Sequence, residues 1–501
     1  VIIWTDYDRL SKREIQSRQA GILNKFLKEQ LLNYSTHYRE LFKNAGLKAD
    51  DIRTIADLRK IPFTTKKDIA PTPDDPKRPT RLILQPDPET YRSTLTLRKK
   101  LGLVKNRFIS GREVREQVLD EYMPVQFIAT TGRTALPTPF IYTNRDMIKF
   151  KAAAKRLFMK SGIRRDSDII MNVFPYAPHL AFWIVHEAGM QVGAPIFHTG
   201  GGKVLGSERI LALIKAYRAT VLVGVPGYVY HLLRLATEKQ LDFSNVRLVI
   251  LGAERVTWGL KQKLHAMLET LGAKNPQILS TFGFTEARTA WIECPTDKFL
   301  TESTGYHTFP DLEIFELVDP DTGEQVGEGE PGEIVYSALD WRGSVVLRYK
   351  TGDYVKGGIR YGKCPGCGSM VPRIDTNITR MTDREELQLS NIKGTLVDFN
   401  EFFPIMSELK EVVEWQVEIT KRNEDVNDLD EIHIYTAVTT KCDTGVLINE
   451  IEEKMHASME LHPAGIHFLS AEEMAERLGM DQVPKEKRIY DKRPELENEE
   501  K

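Results

Sequence analysis

Cysteine is scarce, with four in 501 residues, at positions 294, 364, 367 and 442. So few thiols in so long a chain exclude a secreted disulfide scaffold and point to a reducing compartment, the cytoplasm. No run reaches the roughly 18 apolar residues of a membrane span, so neither a transmembrane helix nor a membrane partner is expected. The opening, VIIWTDYDRL, has no basic stretch followed by an apolar one, so no secretory leader is read there. Neither sign of charge is in excess: 69 Lys plus Arg against 71 Asp plus Glu leave −2. A global basic field for nucleic acid is therefore not expected. The remaining composition, 41% hydrophobic and 28% charged, excludes disordered and collagen-like classes. Roughly 100–200 residues per domain suggests about three domains.

The first 75 residues read as helical. Ile15, Ile22, Leu23, Phe26, Leu27 and Leu31 fall near helical spacing, and Ile52, Ile55 and Leu58 share a face before Pro62. Residues 71–88 are Pro-rich and read as irregular, and 92–115 are rich in Arg and Lys, including Arg98, Lys99 and Lys100. That charge reads as a solvated face, with phosphate contact as the alternative. From about 125 strands and helices alternate. SERILALIKAYRA is an amphipathic helix opened by Ser207, and TVLVGVP and VRLVILGA suit buried parallel strands. LKQKLHAMLETLG is another helix, closed by Gly272, and ILSTFG is again a strand. The expected class is α/β, with parallel sheets flanked by helices. A β-rich, more antiparallel part follows over about 291–379, and a small α+β unit of its own core over 380–501.

Three motifs suggest nucleotide chemistry. ATTGRT, Ala129 to Thr134, sets hydroxyls and backbone N–H groups beside a glycine, suited to phosphate oxygens or to a plain polar turn. STFGFTEAR, 280–288, follows a strand, where open α/β sheets bind nucleotides. An aromatic there can stack on adenine, a Thr can bond a phosphate and a Glu can hold Mg²⁺; the alternative is a strand-end turn with a solvated Glu. YKTGDYV, 349–355, offers a carboxylate for a ribose diol, or an ordinary Gly-Asp turn. A fourth motif, CPGCG, places Cys364 and Cys367 for one Zn²⁺, which needs two more ligands; Cys294 and His307 supply them. Unligated buried thiols are the alternative. A redox pair has no thioredoxin-like unit to sit in. Cys442 reads as an unligated thiol.

In this order and spacing the first three motifs resemble the adenylate-forming superfamily. More narrowly they look like its phenylacetate–CoA ligase branch, which includes coenzyme F390 synthetase-like members. The likeness extends over YRELFKNAGLKADDIRTIADLRKIPFTTKKDI, VLVGVPGYVYHL and VILGAERVT, nearly the whole chain. It implies a large N-terminal domain, 1–379, and a small mobile α+β lid, 380–501. The large domain would comprise a helical start over 1–75, an α/β core over about 121–290 and the β-rich part. Thr130, Thr131, Gly132 and Arg133 then fall on the phosphate-gripping loop, and Gly252, Ala253 and Glu254 on the loop lining adenine. Phe282, beside Gly283, falls on the base-stacking aromatic, Thr285 on the α-phosphate contact and Glu286 on the magnesium ligand. Asp353 falls on the ribose aspartate and Arg380 near the hinge. VPKEKRIYDKR resembles the terminal lysine segment, placing the catalytic lysine at Lys485, with Lys487 second. Phe174, Tyr176 and His179 lie in a stretch that borders the acyl pocket in that family, or are plain core. Some members of the branch bind structural zinc through residues placed like the Cys₃His set.

The sequence departs from the family where Ala129 replaces a glycine, Arg133 a lysine and Thr379 the hinge glycine. Lys485 follows Pro484 instead of a glycine. The implied activity is ATP-dependent activation of a carboxylate, aromatic by preference, as an acyl-adenylate. Transfer to coenzyme A follows. Mg²⁺ and Zn²⁺ are the metals and a homodimer is a family-level expectation. The alternatives are AMP transfer to an acceptor hydroxyl and nucleotide binding without turnover.

Overall fold

The computed structural model describes residues 4–111, 113–130, 137–381, 391–392, 395–396, 402–422, 430–459, 461–479 and 488–492. The chain forms two units, each assembled from separated segments. One takes in 1–168, 176–196 and 279–378, the other 169–175, 197–278 and 379–501.

The first unit opens with the helix Lys12–Phe26. Ser11 caps it reciprocally with Glu14, and Ile15, Leu23 and Phe26 are buried. The expected helix around Ile52, Ile55 and Leu58 is instead two short 3₁₀ turns, Ala49–Asp51 and Ile55–Lys60. The reason is local. Asp51 accepts from the Lys48 N–H at 2.7 Å, Asp57 from Thr54 at 2.8 Å and Asp68 from Thr65 at 2.7 Å. Each carboxylate starts its own turn, and so the chain is broken into capped pieces. The Pro-rich stretch before Pro88 is irregular as read, apart from a 3₁₀ turn, Arg78–Leu82, and the basic region is helical, with helices Pro88–Thr94, Leu97–Ser110 and Val114–Tyr122.

Next, strands Pro124–Ala129 and Pro139–Thr143 form an antiparallel hairpin, Ala129 opposite Pro139. Further along, Glu313–Val318, Gly332–Ala338 and Tyr349–Val355 pair antiparallel. The middle strand is buried along its whole length. Within this sheet the Glu313 carboxyl is 1% exposed; its Oε1 accepts from Trp291 Nε1 at 2.5 Å and from the Phe309 N–H at 2.7 Å. Burial pushes its pKa up to about 8.

In the second unit, Ile170–Asn172, Val221–Gly224 and Leu248–Leu251 run parallel, in register from Ile170 through Val221 to Leu248. Helices Ser207–Ala216, Pro226–Glu238 and Trp258–Thr270 alternate with these strands, as the pattern predicts. Gly206, not Ser207, is the N-cap of the first of these helices, with φ +75°. The C-terminal part orders its strands Gly465–Phe468, Asp430–Val438, Val412–Lys421 and Ile489–Asp491. Phe402, Met406, Val417, Ile434, Ile451 and Met455 fill its core, which also takes in Cys442 at its edge. No helix among the described residues is long and apolar enough to cross a membrane.

The pH dependence of stability tests the Glu313 assignment. A carboxyl whose folded pKa is raised holds its proton better folded than unfolded. Its contribution is thus full below the ordinary value of 4.5 and is lost as pH rises through about 8. Urea midpoints should fall across that window in the wild type, and much less in Glu313→Gln. Parallel curves would remove Glu313 as the source.

Candidate nucleotide site and Cys/His cluster

The hairpin carries the expected phosphate loop at its tip. Thr130 closes the stem: its N–H donates to the Thr138 carbonyl at 3.1 Å, and its Oγ1 accepts from the Thr138 N–H at 3.1 Å. The Ala129 N–H donates to the Pro178 carbonyl at 2.9 Å, and His179 Nδ1 lies 3.2 Å from the Ala129 carbonyl. The His179 ring is therefore tied to the loop's stem. Thr131, Gly132 and Arg133 lie outside the described residues, as do Lys485 and Lys487.

Strand Gln277–Phe284 delivers STFGFTEAR. Its end pairs antiparallel with Thr289–Ile292, Phe282 opposite Trp291 and Gly283 opposite Ala290. A Cβ on Gly283 would come within 2.8 Å of the Ala290 Cβ and 3.1 Å of the Thr289 carbonyl, so only glycine lets the strands close there. Phe282 is half-buried, its ring stacked on Tyr306 at 5.8 Å. A 3₁₀ turn, Thr285–Ala287, follows, with Thr285 and Glu286 half-buried. Tyr349 donates its hydroxyl to Glu286 Oε1 at 3.0 Å. No sequence motif pairs Tyr349 with Glu286, 63 positions away.

YKTGDYV does not form the ordinary Gly-Asp turn. It is a strand with a bulge: the register against Gly332–Ala338 shifts between Glu333 and Val335, and Gly352 takes φ +73°. Thr351 bonds the Ile334 carbonyl at 3.1 Å and accepts from the Asp353 N–H at 3.0 Å. The bulge re-aims Asp353, whose side chain is buried.

Arg288 ends the Thr285–Ala287 turn with φ +60° and is fully buried. Its guanidinium lies 4.2 Å over the Trp341 ring and 3.4 Å from Asp146 Oδ2. Asp146, at the start of helix Asn144–Lys160, also accepts from the N–H groups of Thr143 at 3.1 Å, Arg342 at 2.8 Å and Gly343 at 2.6 Å. The sequence gave no sign of this network, because its members lie up to 197 residues apart.

In the second unit, Gly252, Ala253 and Glu254 directly follow strand Leu248–Leu251, at the carboxyl end of parallel strands. The Gly252 N–H donates to the Gly224 carbonyl at 3.1 Å, and Ala253 takes φ +72°. Arg380 is exposed at the end of strand Ile378–Arg380. Phe174 belongs to this unit, buried, whereas Tyr176 and His179 belong to the first. Tyr176 packs edge-on against Phe182 at 5.2 Å and Trp183 at 5.8 Å.

The four predicted metal ligands meet in the first unit. One donor atom from each of Cys294, His307, Cys364 and Cys367 lies within 4.8 Å of all the others. Cys294 Sγ and Cys364 Sγ are 3.6 Å apart, Cys367 Sγ and His307 Nε2 3.3 Å. His307 Nδ1 faces the Ile292 carbonyl at 3.1 Å, leaving Nε2 for the cluster. Strand Tyr306–His307 pairs with Arg373–Ile374, and CPGCG forms the turn before that second strand. A Cβ on Gly366 would come within 2.7 Å of Cys294 Sγ, which is why the turn reads Cys-Pro-Gly-Cys. The hydrogen bond between Cys294 and Cys364 holds the Cys364 thiol far below the ordinary range and raises that of Cys294. Lys160 Nζ stands 3.9 Å from Cys367 Sγ and 2.7 Å from Asp8.

Parallel strands ending in a glycine loop, a strand-end Thr-Glu turn and a bulged carboxylate strand define a nucleotide-binding α/β protein. The chain belongs to the AMP-binding enzyme family, which matches residues 43–339. It is 26% identical to the phenylacetate–coenzyme A ligase of Thermus thermophilus, over 72% of this chain and 69% of that protein. The Escherichia coli phenylacetate–coenzyme A ligase is 25% identical, over 74% of this chain and 72% of that one. Among solved structures, a 2-hydroxyisobutyryl-CoA ligase in complex with 2-HIB-AMP has the same fold, with TM-score 0.73 and 17% identity. That match covers 98% of this chain and 92% of the other.

Asp146→Ala removes the acceptor for three N–H groups and leaves the buried Arg288 guanidinium without this carboxylate. It should destabilise the protein by about 3–5 kcal/mol, read as a lower urea midpoint. A loss under about 1 kcal/mol, the level of an exposed pair, would show that the network carries little.

Proposed function

We propose that this protein is an AMP-forming acid–CoA ligase. A carboxylate oxygen attacks the α-phosphorus of ATP, the bond to pyrophosphate breaks, and an acyl-adenylate forms. The coenzyme A thiol then attacks the acyl carbon and AMP leaves. The observation that carries the reading is the Thr285–Glu286 turn, its carboxylate oriented by Tyr349 at 3.0 Å, in a chain of the AMP-binding family. Oxygen ligands on a short rigid turn suit Mg²⁺, which keeps several waters and bridges phosphates. Glu286 would hold it, and the ion would neutralise phosphate charge. Thr130 and Thr285, with Thr131, Gly132 and Arg133, would contact phosphate oxygens. Phe282, with Gly283, and the loop Gly252, Ala253, Glu254 would line the base, and Asp353 would take the ribose diol. Such chemistry rests on positioning and charge neutralisation. Lys485, on a lid beginning near Arg380, would reach the α-phosphate on closure. The Tyr176, Phe182 and Trp183 rings, in edge contact beside the His179 that anchors the phosphate hairpin, favour an aromatic carboxylate.

The cluster would hold one structural zinc. A tetrahedral site with Zn–S bonds of roughly 2.3 Å needs sulfurs roughly 3.8 Å apart. The observed 3.6 Å between Cys294 and Cys364 is close to that edge. Three thiolates and one imidazole have the composition of a closed structural set, so zinc held there would fasten strands and would supply no chemistry. Such a set persists in a reducing compartment, which supports the cytoplasm.

Lys485→Ala should lose roughly 10²–10³-fold in pyrophosphate exchange while still binding ATP. Wild-type exchange in that variant would refute the lysine's role. Mass spectrometry of reactions with a carboxylate panel, with and without CoA, should find acyl-AMP and acyl-CoA. AMP transferred to an acceptor hydroxyl without acyl-AMP, or no ATP consumption, would overturn the ligase reading. Elemental analysis should give about one zinc per chain, falling in Cys364→Ser together with the melting temperature. Well under one zinc in the wild type would reject the site.

A further inference from the structure

Helix Leu97–Ser110 has no buried residue among those whose side chains are described. At 3.6 residues per turn, Leu97, Leu101, Val104 and Phe108 fall in a sector roughly 60° wide. All four are exposed, Phe108 to 83%, and Ile109 beside it to 73%. Lys100 and Arg107 flank the stripe on one side and Lys105 on the other, and residues 97–112 contain no Asp or Glu. This is a concentrated basic charge in a chain whose net charge is −2. The helix is held by polar contacts on its other side. Asn106 donates to Gln117 Oε1 and Gln117 donates to the Leu103 carbonyl, both at 3.2 Å. More than half of the large exposed hydrophobic residues among those described lie between 97 and 127, Met123 and Phe127 included.

A solvated face explains the lysines but not an exposed apolar stripe between them. A second copy of the helix would cover the stripe only by bringing basic flank against basic flank. An anionic lipid surface meets both needs at once: the stripe enters the acyl boundary while Lys and Arg reach phosphate headgroups. We propose that helix Leu97–Ser110 docks this protein peripherally on anionic membranes. The lack of a membrane-spanning run bears on crossing a bilayer and leaves such surface binding open.

Flotation of the full chain with vesicles tests this. Wild type should float with phosphatidylcholine/phosphatidylglycerol vesicles, not with phosphatidylcholine alone, and added salt should weaken it. Phe108→Glu with Ile109→Glu should cut partitioning roughly tenfold or more. Lys100→Glu with Lys105→Glu should do the same on anionic vesicles. Both pairs are on the surface, so unchanged circular dichroism separates binding from folding. Absent flotation of the wild type, or equal flotation of the Phe108/Ile109 variant, overturns the proposal. A wild-type dimer that does not float and that the same variant splits would assign the stripe to a second copy.

Discussion

The carboxylate of Asp146 is the constraint on which the first unit's arrangement depends. It is fully buried, and four donors converge on it. Three are backbone N–H groups at 2.6 to 3.1 Å, and the fourth is Arg288 at 3.4 Å. The backbone donors thus do more than the ion pair, whose separation is long for a charge-assisted bond. Their sources matter. Thr143 ends the hairpin that carries the phosphate loop, Arg342 and Gly343 belong to the turn before Tyr349, and Arg288 ends the Glu286 turn. One buried charge therefore fixes the spacing of three separate segments. Ser344 adds a second tie, its Oγ accepting from the Ile141 N–H at 3.0 Å.

The cluster of three cysteines and one histidine solves a different problem. Tyr306–His307, Ile359–Arg360 and Arg373–Ile374 are strands of two residues, too short for their ladder to hold the CPGCG turn. Asp8 reaches the same turn through Lys160 at 2.7 Å and through Ser369, which joins the N-terminal segment to it. A bound metal, as proposed, would act there as a cross-link between segments far apart in sequence.

Sequence pattern revealed what depends on short range. Parallel strands at 221–224 and 248–251 were legible because β-branched runs alternated with amphipathic helices. The Cys-x-x-Cys spacing was legible, and a resemblance supplied its distant partners, Cys294 and His307. Three things were not. The Asp-capped 3₁₀ turns share hydrophobic spacing with a helix and differ only in where carboxylates cap. The bulge at Gly352 depends on a neighbouring strand. The role of Asp146 depends on residues nearly two hundred positions away. The turns are decided by local capping bonds, and the bulge and the Asp146 network by tertiary contacts; hydrophobic periodicity encodes neither.

Backbone strain shows how the fold places its reactive groups. Among the described residues, seven that are not glycine have positive φ. Arg218 and Gln240 stand where helices end, an ordinary setting. In the first unit Asp340 and Arg348 do not, and Arg288 ends only a single 3₁₀ turn. A left-handed residue costs roughly 1–2 kcal/mol. All three are charged, and each is anchored. Arg288 is held by Asp146 and Trp341, and Asp340 by Arg145 at 2.7 Å and Arg342 at 2.8 Å. Arg348 donates to the carbonyls of Arg59 at 2.9 Å and Ile61 at 2.8 Å. Hydrogen bonds from charged groups contribute about 1.5–3 kcal/mol each, enough to offset the strain. Glycine would remove the strain and the anchor together, leaving these turns free to move. With the anchors in place, Glu286 two residues before Arg288 and Tyr349 directly after Arg348 are set in their mutual geometry before any ligand arrives. For the proposed chemistry, which depends on positioning, that order of events would lower the barrier without a reorganisation cost at the moment of reaction.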